Sequence, residues 1–249
     1  MSVDNPPPAG RSTGVQHRVG GDTIDRHRHD DHQLVYVSTG VLAVQTSAGS
    51  WVASADRAVW LPAGTWHQHR FYGTSSFHTV GFPVDQPPLA DHAPSILAVS
   101  PLVRELLVTC TDATLTGNEQ RRVRTVLRDQ LRRTRQEPIS LPAPQDPRLA
   151  AACGIIADQL DRPRTLAALA DDVGASERTL SRLFRAELGM TYPQWRTSLR
   201  VLHAMILLAG GTSVTDTAQR CGWTTASSFI DSFHRSMGQT PGGYKARHP

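Results

Sequence analysis

The stretch SERTLSRLFRAELGMTY, residues 176–192, decides the fold of the C-terminal part of this chain. Ser176 is a helix-capping residue. At the helical period that follows, Leu180, Leu183 and Phe184 fall on one face and Arg178, Ser181, Arg182 and Arg185 on the other. Gly189 stands where such a helix ends. Just upstream, Leu166, Leu169, Ala170 and Val173 make one apolar face of a shorter helix, and Gly174 permits a tight turn between the two. Two short helices joined so tightly must pack on each other, which leaves the arginine face of the second in solvent.

The same plan recurs about 47 residues later, an internal repeat of a two-helix unit. Val214, Thr217, Ala218 and Cys221 form one helical face, Gly222 makes the turn, and Thr225 caps a helix with Phe229 and Phe233 inward. Both copies end alike: Phe184 precedes Leu188-Gly189-Met190-Thr191-Tyr192, and Phe233 precedes Met237-Gly238-Gln239-Thr240-Pro241. Asp146 before Pro147 signals an earlier helix start. Helices are expected at about 147–160, 166–173, 177–187, 193–209, 214–221 and 226–236, the long one joining the two units.

Over about Leu149 to His248 these residues resemble the DNA-binding domain of the AraC/XylS family of transcription regulators. The resemblance is carried by Leu180-Ser181-Arg182-Leu183-Phe184 with Gly189-Met190-Thr191. It continues in Ala218, Gly222, Phe229, Phe233, Arg235, Gly238, Thr240-Pro241 and Tyr244. It implies that each unit lays its second helix in the major groove of double-stranded DNA, the two about 34 Å apart. On that basis Arg178, Ser181 and Arg182 match the base-reading face of the first unit, and Arg185 a phosphate contact. The second unit departs from the pattern, offering Ala226, Ser227, Ser228 and Asp231. An aspartate accepts from cytosine but repels phosphate, so the first unit is expected to supply more of the affinity.

Toward the N-terminus the pattern changes. Pro138, Pro142, Pro144 and Pro147 mark a linker over 138–146 before the helical domain at 147–249. Ahead of it a helix at about Asn118 to Arg135 carries Val123, Val126, Leu127 and Leu131 on one stripe; packing within its own domain and a homodimer interface are the two readings. Leu102, Leu106 and Leu107 mark the inner face of an earlier helix. Between Asp22 and Pro83 the chain reads as short β-runs (Gln33–Thr39, Val41–Thr46, Trp51–Ala53, Ala58–Leu61, Phe77–Phe82), with Gly40, Gly49 and Gly64 as punctuation. This suits an antiparallel barrel or jelly roll. The fold class is therefore α+β: a jelly-roll domain with following helices over 17–137, then an all-α domain with two helix-turn-helix units. Residues 1–16, with Pro6, Pro7 and Pro8, read as a disordered tail.

Gly21, His27, His29, Gln33 and Gly40, followed by Pro62, Gly64 and His67, resemble the two motifs of the cupin fold. Gln33 stands at the glutamate position, Asp56 at the first glycine of the second motif and Phe71 at its terminal asparagine. The resemblance implies a divalent metal held by His27, His29, Gln33 and His67. Strand alternation puts His27 and His29 on one side, and neutral imidazoles suit Zn, Fe, Ni or Co. An amide in place of a carboxylate weakens a hard ion, and the alternative is a pocket whose histidines pack or bind an organic effector. His17, His32, His69 and His78 enlarge the cluster, though each alone reads as a surface or strand residue. Trp51, Trp60, Trp66, Phe71 and Tyr72 are aromatic walls for such an effector, or simply core.

Charge and composition agree with this division. Through residue 99 the chain has six Arg and eight Asp; from Ser100 onward basic residues outnumber acidic ones by twenty to fourteen, which suits a polyanion partner at the C-terminal end. Cys110, Cys153 and Cys221 form no CxxC pair and read as reduced thiols of a cytoplasmic protein. No apolar run is long enough for a membrane span. The expectation is a DNA-binding transcription regulator responding to a small-molecule or metal effector, touching RNA polymerase if it activates. A metal-dependent cupin enzyme on His27, His29 and His67, or a DNA-binding protein without effector, are the other classes.

Overall fold

The computed structural model describes residues 13–90, 92–134, 136–137 and 141–246. They form two compact units, 13–47 with 51–137 and 48–50 with 141–246. Residues 1–12 of the expected tail and Pro138, Ile139 and Ser140 of the expected linker lie outside the described residues.

The first unit is an antiparallel sheet of β1 (Gly14–Arg18), β2 (Thr23–His27), β3 (His32–Thr46), β4 (Gly49–Ala53), β5 (Arg57–Leu61), β6 (His67–Phe82), β7 (Ser95–Ala98) and β8 (Gln136–Glu137), with helices α1 (Pro101–Cys110) and α2 (Gly117–Leu131). Strand order is β1-β6-β3-β5-β7-β8, with β2 beside β6 and β4 beside β3. β1 begins inside the stretch read as a tail, because Gly14 pairs with Thr79 and Arg18 with Ser75.

β3 is one strand, where the sequence suggested two. Gly40 does not end it; it makes a bulge at φ +75° between Thr39 and Val41, where a Cβ would lie 2.1 Å from Ser75 Oγ. β3 is buried on both faces. Leu34 and Tyr36 join Trp60, Phe82, Val103, Leu107, Leu127 and Leu131 under the helices. Val35, Val37, Leu42 and Val44 join Trp51, Phe71, Phe77 and Ile96 in the other cluster. A strand buried on both faces reads as a continuous apolar run.

Two helix faces differ from expectation. In α1 the buried residues are Val103, Leu107 and Cys110, whereas Leu102 is 51% exposed, one position around the helix from the packed face. In α2 Leu127 and Leu131 are buried and Val126 is 44% exposed.

The second unit holds the short strand β9 (Leu141–Pro142) and helices α3 (Pro147–Asp158), α4 (Leu166–Asp172), α5 (Glu177–Leu188), α6 (Tyr192–Ala209), α7 (Val214–Arg220), α8 (Ala226–Met237) and α9 (Pro241–Ala246). Each start is capped as the sequence chemistry demands: Asp146 accepts from the Arg148 amide, Ser176 from Thr179 and Thr225 from Ser228. Gly189 and Gly238 close α5 and α8 in the left-handed conformation. Each repeat has an aromatic centre. Phe184 packs on Tyr192 and Trp195, and Phe233 on Phe229 and Tyr244, with centroids 5.5–5.6 Å apart. The Tyr244 contact holds α9, a helix that Pro241-Gly242-Gly243 disguises as a turn.

The three cysteines are free and buried. Burial raises their thiols to about 11 for Cys110 and about 12 for Cys153 and Cys221. Among the described residues no helix is long and apolar enough to cross a membrane.

Candidate metal centre and nucleic-acid interface

β2 and β6 bring the histidines together. His27 at the end of β2 is the register partner of His67 at the start of β6. His29 lies just beyond β2, and its carbonyl accepts from the Gly64 amide at 2.8 Å, which ties it to the turn leading into β6. One donor atom from each of His27, His29 and His67 lies within 4.8 Å of the others.

Their tautomers are set from behind. His27 Nδ1 donates to the Asp25 carbonyl at 2.7 Å and His67 Nδ1 to that of Thr65 at 2.8 Å; a carbonyl can only accept, so both rings carry the proton on Nδ1. In the neutral ring this leaves the lone pair of each Nε2 for an ion, the second-sphere arrangement of metal-binding histidines. Buried His67 Nε2 has no hydrogen-bond partner. Burial, with the neighbouring imidazoles adding to it, lowers His67 to about 4 and lowers His29 as well. Neutral imidazoles with free lone pairs fit a borderline divalent transition metal.

Gln33 is buried and its Oε1 is without a hydrogen-bond partner. It lies on β3 opposite Leu61 and Gly81. Of the other histidines among the described residues, only His69 joins the group, its ring 5.0 Å from that of His67 and 5.6 Å from that of His27. The signal was present as His67-x-His69, the same alternation as His27-x-His29. His32 accepts from the Ala63 amide and stacks on Trp60, His78 bonds Thr111 and Ser38, and His17 lies near Ser76. His32 and His78 are buried structural residues, and His17 is an exposed strand residue.

The aromatic walls separate too. Trp51 and Phe71 are core on the histidine side, and Trp60 is core under the helices. Trp66 is 41% exposed, with the Arg26 and Arg28 guanidiniums each 5.0 Å from its ring, and half-buried Tyr72 lies by Arg70.

On α5, Arg178, Arg182 and Arg185 are exposed and Ser181 is half-buried. Arg185 Nη1 donates to Ser181 Oγ at 3.0 Å, so one face carries three cations. On α8, Ser227, Ser228 and Asp231 are exposed, but Ser228 Oγ donates to the Thr225 carbonyl within the cap. Counting from Phe184 and Phe233 along the two repeats sets Ser227 at the place of Arg178, Ile230 at that of Ser181, Asp231 at that of Arg182 and His234 at that of Arg185. Ile230, 36% exposed, is the member of this face that sequence reading passed over; the offset from Ser181 identifies it.

A cupin barrel joined to a duplicated helix-turn-helix unit defines a DNA-binding transcription regulator. Residues 169–247 match the helix-turn-helix domain family, and residues 15–80 the cupin domain family. The chain is 30% identical over 227 residues to the HTH-type transcriptional regulator NimR of Escherichia coli K12, covering 89% of this chain and 82% of that protein. It belongs to the AraC family of HTH-type transcription regulators. A shorter match, 36% identical over 101 residues, is to the HTH-type transcriptional regulator RipA of Corynebacterium glutamicum, covering 41% of this chain and 30% of that protein. A crystal structure of a DNA-binding transcriptional dual regulator from Escherichia coli K-12 aligns over 41% of this chain and 93% of its own at 30% identity, with a TM-score of 0.39.

Proposed function

We propose that this regulator reads double-stranded DNA chiefly through α5, with Arg178, Ser181 and Arg182 on base edges and Arg185 on phosphate, and that a metal ion in the barrel is its effector or part of its effector site. The charge of the two helices supports the first part: three arginines on α5 face Ser227, Asp231 and His234 at the matching places of α8. Ser227 and Ser228 then serve as neutral hydrogen-bonding contacts.

The observation that carries the second part is the convergence of His27, His29 and His67 with two lone pairs oriented by carbonyls. Such a site takes Zn, Fe, Ni or Co, and a bound ion changes transcription only by stabilising one state more than another. The reading is of a sensor and not of an enzyme. RNA polymerase contact, in an activator, and a homodimer are parts of the same reading.

The test is metal analysis of anaerobically purified wild type beside the His27→Ala/His29→Ala double variant, with binding to a duplex selected from random sequence measured before and after chelation. Metal in the wild type alone, with affinity changed by chelation, is the expected result. Equal metal content in both proteins refutes the site.

A further inference from the structure

His69 belongs to the group at the mouth of β2 and β6 without being required by either cupin-like motif. It is 3% exposed, and neither of its ring nitrogens has a hydrogen-bond partner. Its surroundings are His67 and the edges of Phe71 and Phe77, with ring centroids at 6.4 and 5.2 Å for the two phenylalanines. A neutral buried imidazole has one donor and one acceptor, and the large majority of buried polar side-chain atoms are hydrogen-bonded. Both orphaned together point to a group that binds there.

The spacing says which group. Four imidazoles bound through nitrogen at about 2.0–2.1 Å to a tetrahedral ion hold their ring centroids roughly 5 Å from one another. The ring pairs here stand at 4.9 Å for His27–His29, 4.3 Å for His27–His67 and 5.5 Å for His29–His67. His69 adds 5.6 Å to His27 and 5.0 Å to His67. His69 lies outside the compact set of donor atoms within 4.8 Å, so coordination by it requires its ring to turn and move toward the other three.

We propose that His69 is the fourth protein ligand, completing an all-imidazole tetrahedral site with His27, His29 and His67, in place of the residue at the carboxylate position, Gln33. This rests on the metal reading above. Four neutral nitrogen donors favour Zn or Co over hard, oxygen-seeking ions such as Mg or Mn. They also leave the ion's double positive charge uncompensated, and a closed four-protein-ligand site is of the structural or sensing kind.

The experiment loads full-length wild type, His69→Gln and Gln33→Ala with Zn²⁺ or Co²⁺. X-ray absorption of the Zn²⁺ wild type is expected to show four imidazole nitrogens, and the Co²⁺ form the intense visible bands of a tetrahedral ion. His69→Gln is expected to lose those bands and to bind Zn²⁺ more weakly by over about 100-fold, beyond the loss of an outer-sphere partner. Gln33→Ala is expected to keep both. Three imidazoles plus oxygen in the wild type, or unchanged affinity and spectrum in His69→Gln, overturns the fourth ligand and leaves the three-histidine site standing. No uptake by wild type overturns the metal reading with it. Should His69→Gln fail to fold, the absorption measurement on wild type decides alone.

Discussion

The Arg200 guanidinium donates to the Gly222 carbonyl at 2.7 Å and lies 5.4 Å above the Trp223 ring, so the long helix α6 clamps the turn of the second helix-turn-helix. Gly222 has φ +77°, and a Cβ there would lie 2.6 Å from Arg200 Nη2, 2.6 Å from the Leu160 carbonyl oxygen and 2.9 Å from Asp161 Cα. At the matching place of the first unit, Gly174 has φ +63° with open space around it.

Gly222→Ala is therefore expected to cost more than Gly174→Ala. The left-handed backbone alone costs about 1–2 kcal/mol at either position, and the clash with backbone atoms adds about 1–3 kcal/mol at Gly222. Urea denaturation of the two variants measures the difference; equal losses would show that the close approach relaxes freely.

The different side chains at the matching positions of α5 and α8, Arg182 against Asp231, predict unequal effects on DNA affinity. Arg182→Ala is expected to weaken binding to a selected duplex by about 1–3 kcal/mol. Asp231→Ala should leave it unchanged or tighten it, since on the proposed reading it removes an acid from a face turned to phosphates. Gel-shift titrations at one salt concentration test this, and equal weakening by both sinks the asymmetry.

Arg185 and Ser227 differ in a second observable. A phosphate contact releases a counterion, so Arg185→Ala should lower the slope of log K against log salt by about 1, whereas Ser227→Ala should not alter it. Binding isotherms from low to moderate salt supply the slopes.

His78 predicts a pH dependence of folding. Burial lowers its imidazole to about 4, and the Arg104 cation and His17 act in the same direction; Thr111 and Ser38 bond its two nitrogens. Between that value and the unfolded value near 6.5 the unfolded chain binds the extra proton, so stability rises with pH and is lost as pH falls. From pH 7 to pH 5 the contribution of His78 is about 2 kcal/mol against folding. His78→Gln should flatten the pH profile of metal-free protein by that amount, because His67 adds a loss of the same sign in both proteins.

The legible parts of this fold are those in which neighbours along the chain decide the outcome. Ser176, Thr225, Gly189 and Gly238 mark helix ends through bonds within a turn, and Leu180, Leu183 and Phe184 report the buried side of α5 by their period. In the barrel the first half of β6 escaped notice. Its inward residues there are His67, His69 and Phe71, and the two histidines hide an alternation that apolar residues would have displayed.

What the sequence by itself determined is the paired helix-turn-helix domain, its capped helices and the His27, His29 and His67 constellation. Helix period, caps and short-range motif spacing are local properties and need no knowledge of the rest of the chain. Only the tertiary structure decided that Gly40 continues β3 as a bulge, that Leu102 and Val126 face solvent, that Arg200 clamps Gly222, and that His69 joins the histidines while His32 and His78 do not. Each of those depends on which distant segment lies alongside, and cross-strand register and helix packing are set by the sum of contacts over the whole unit.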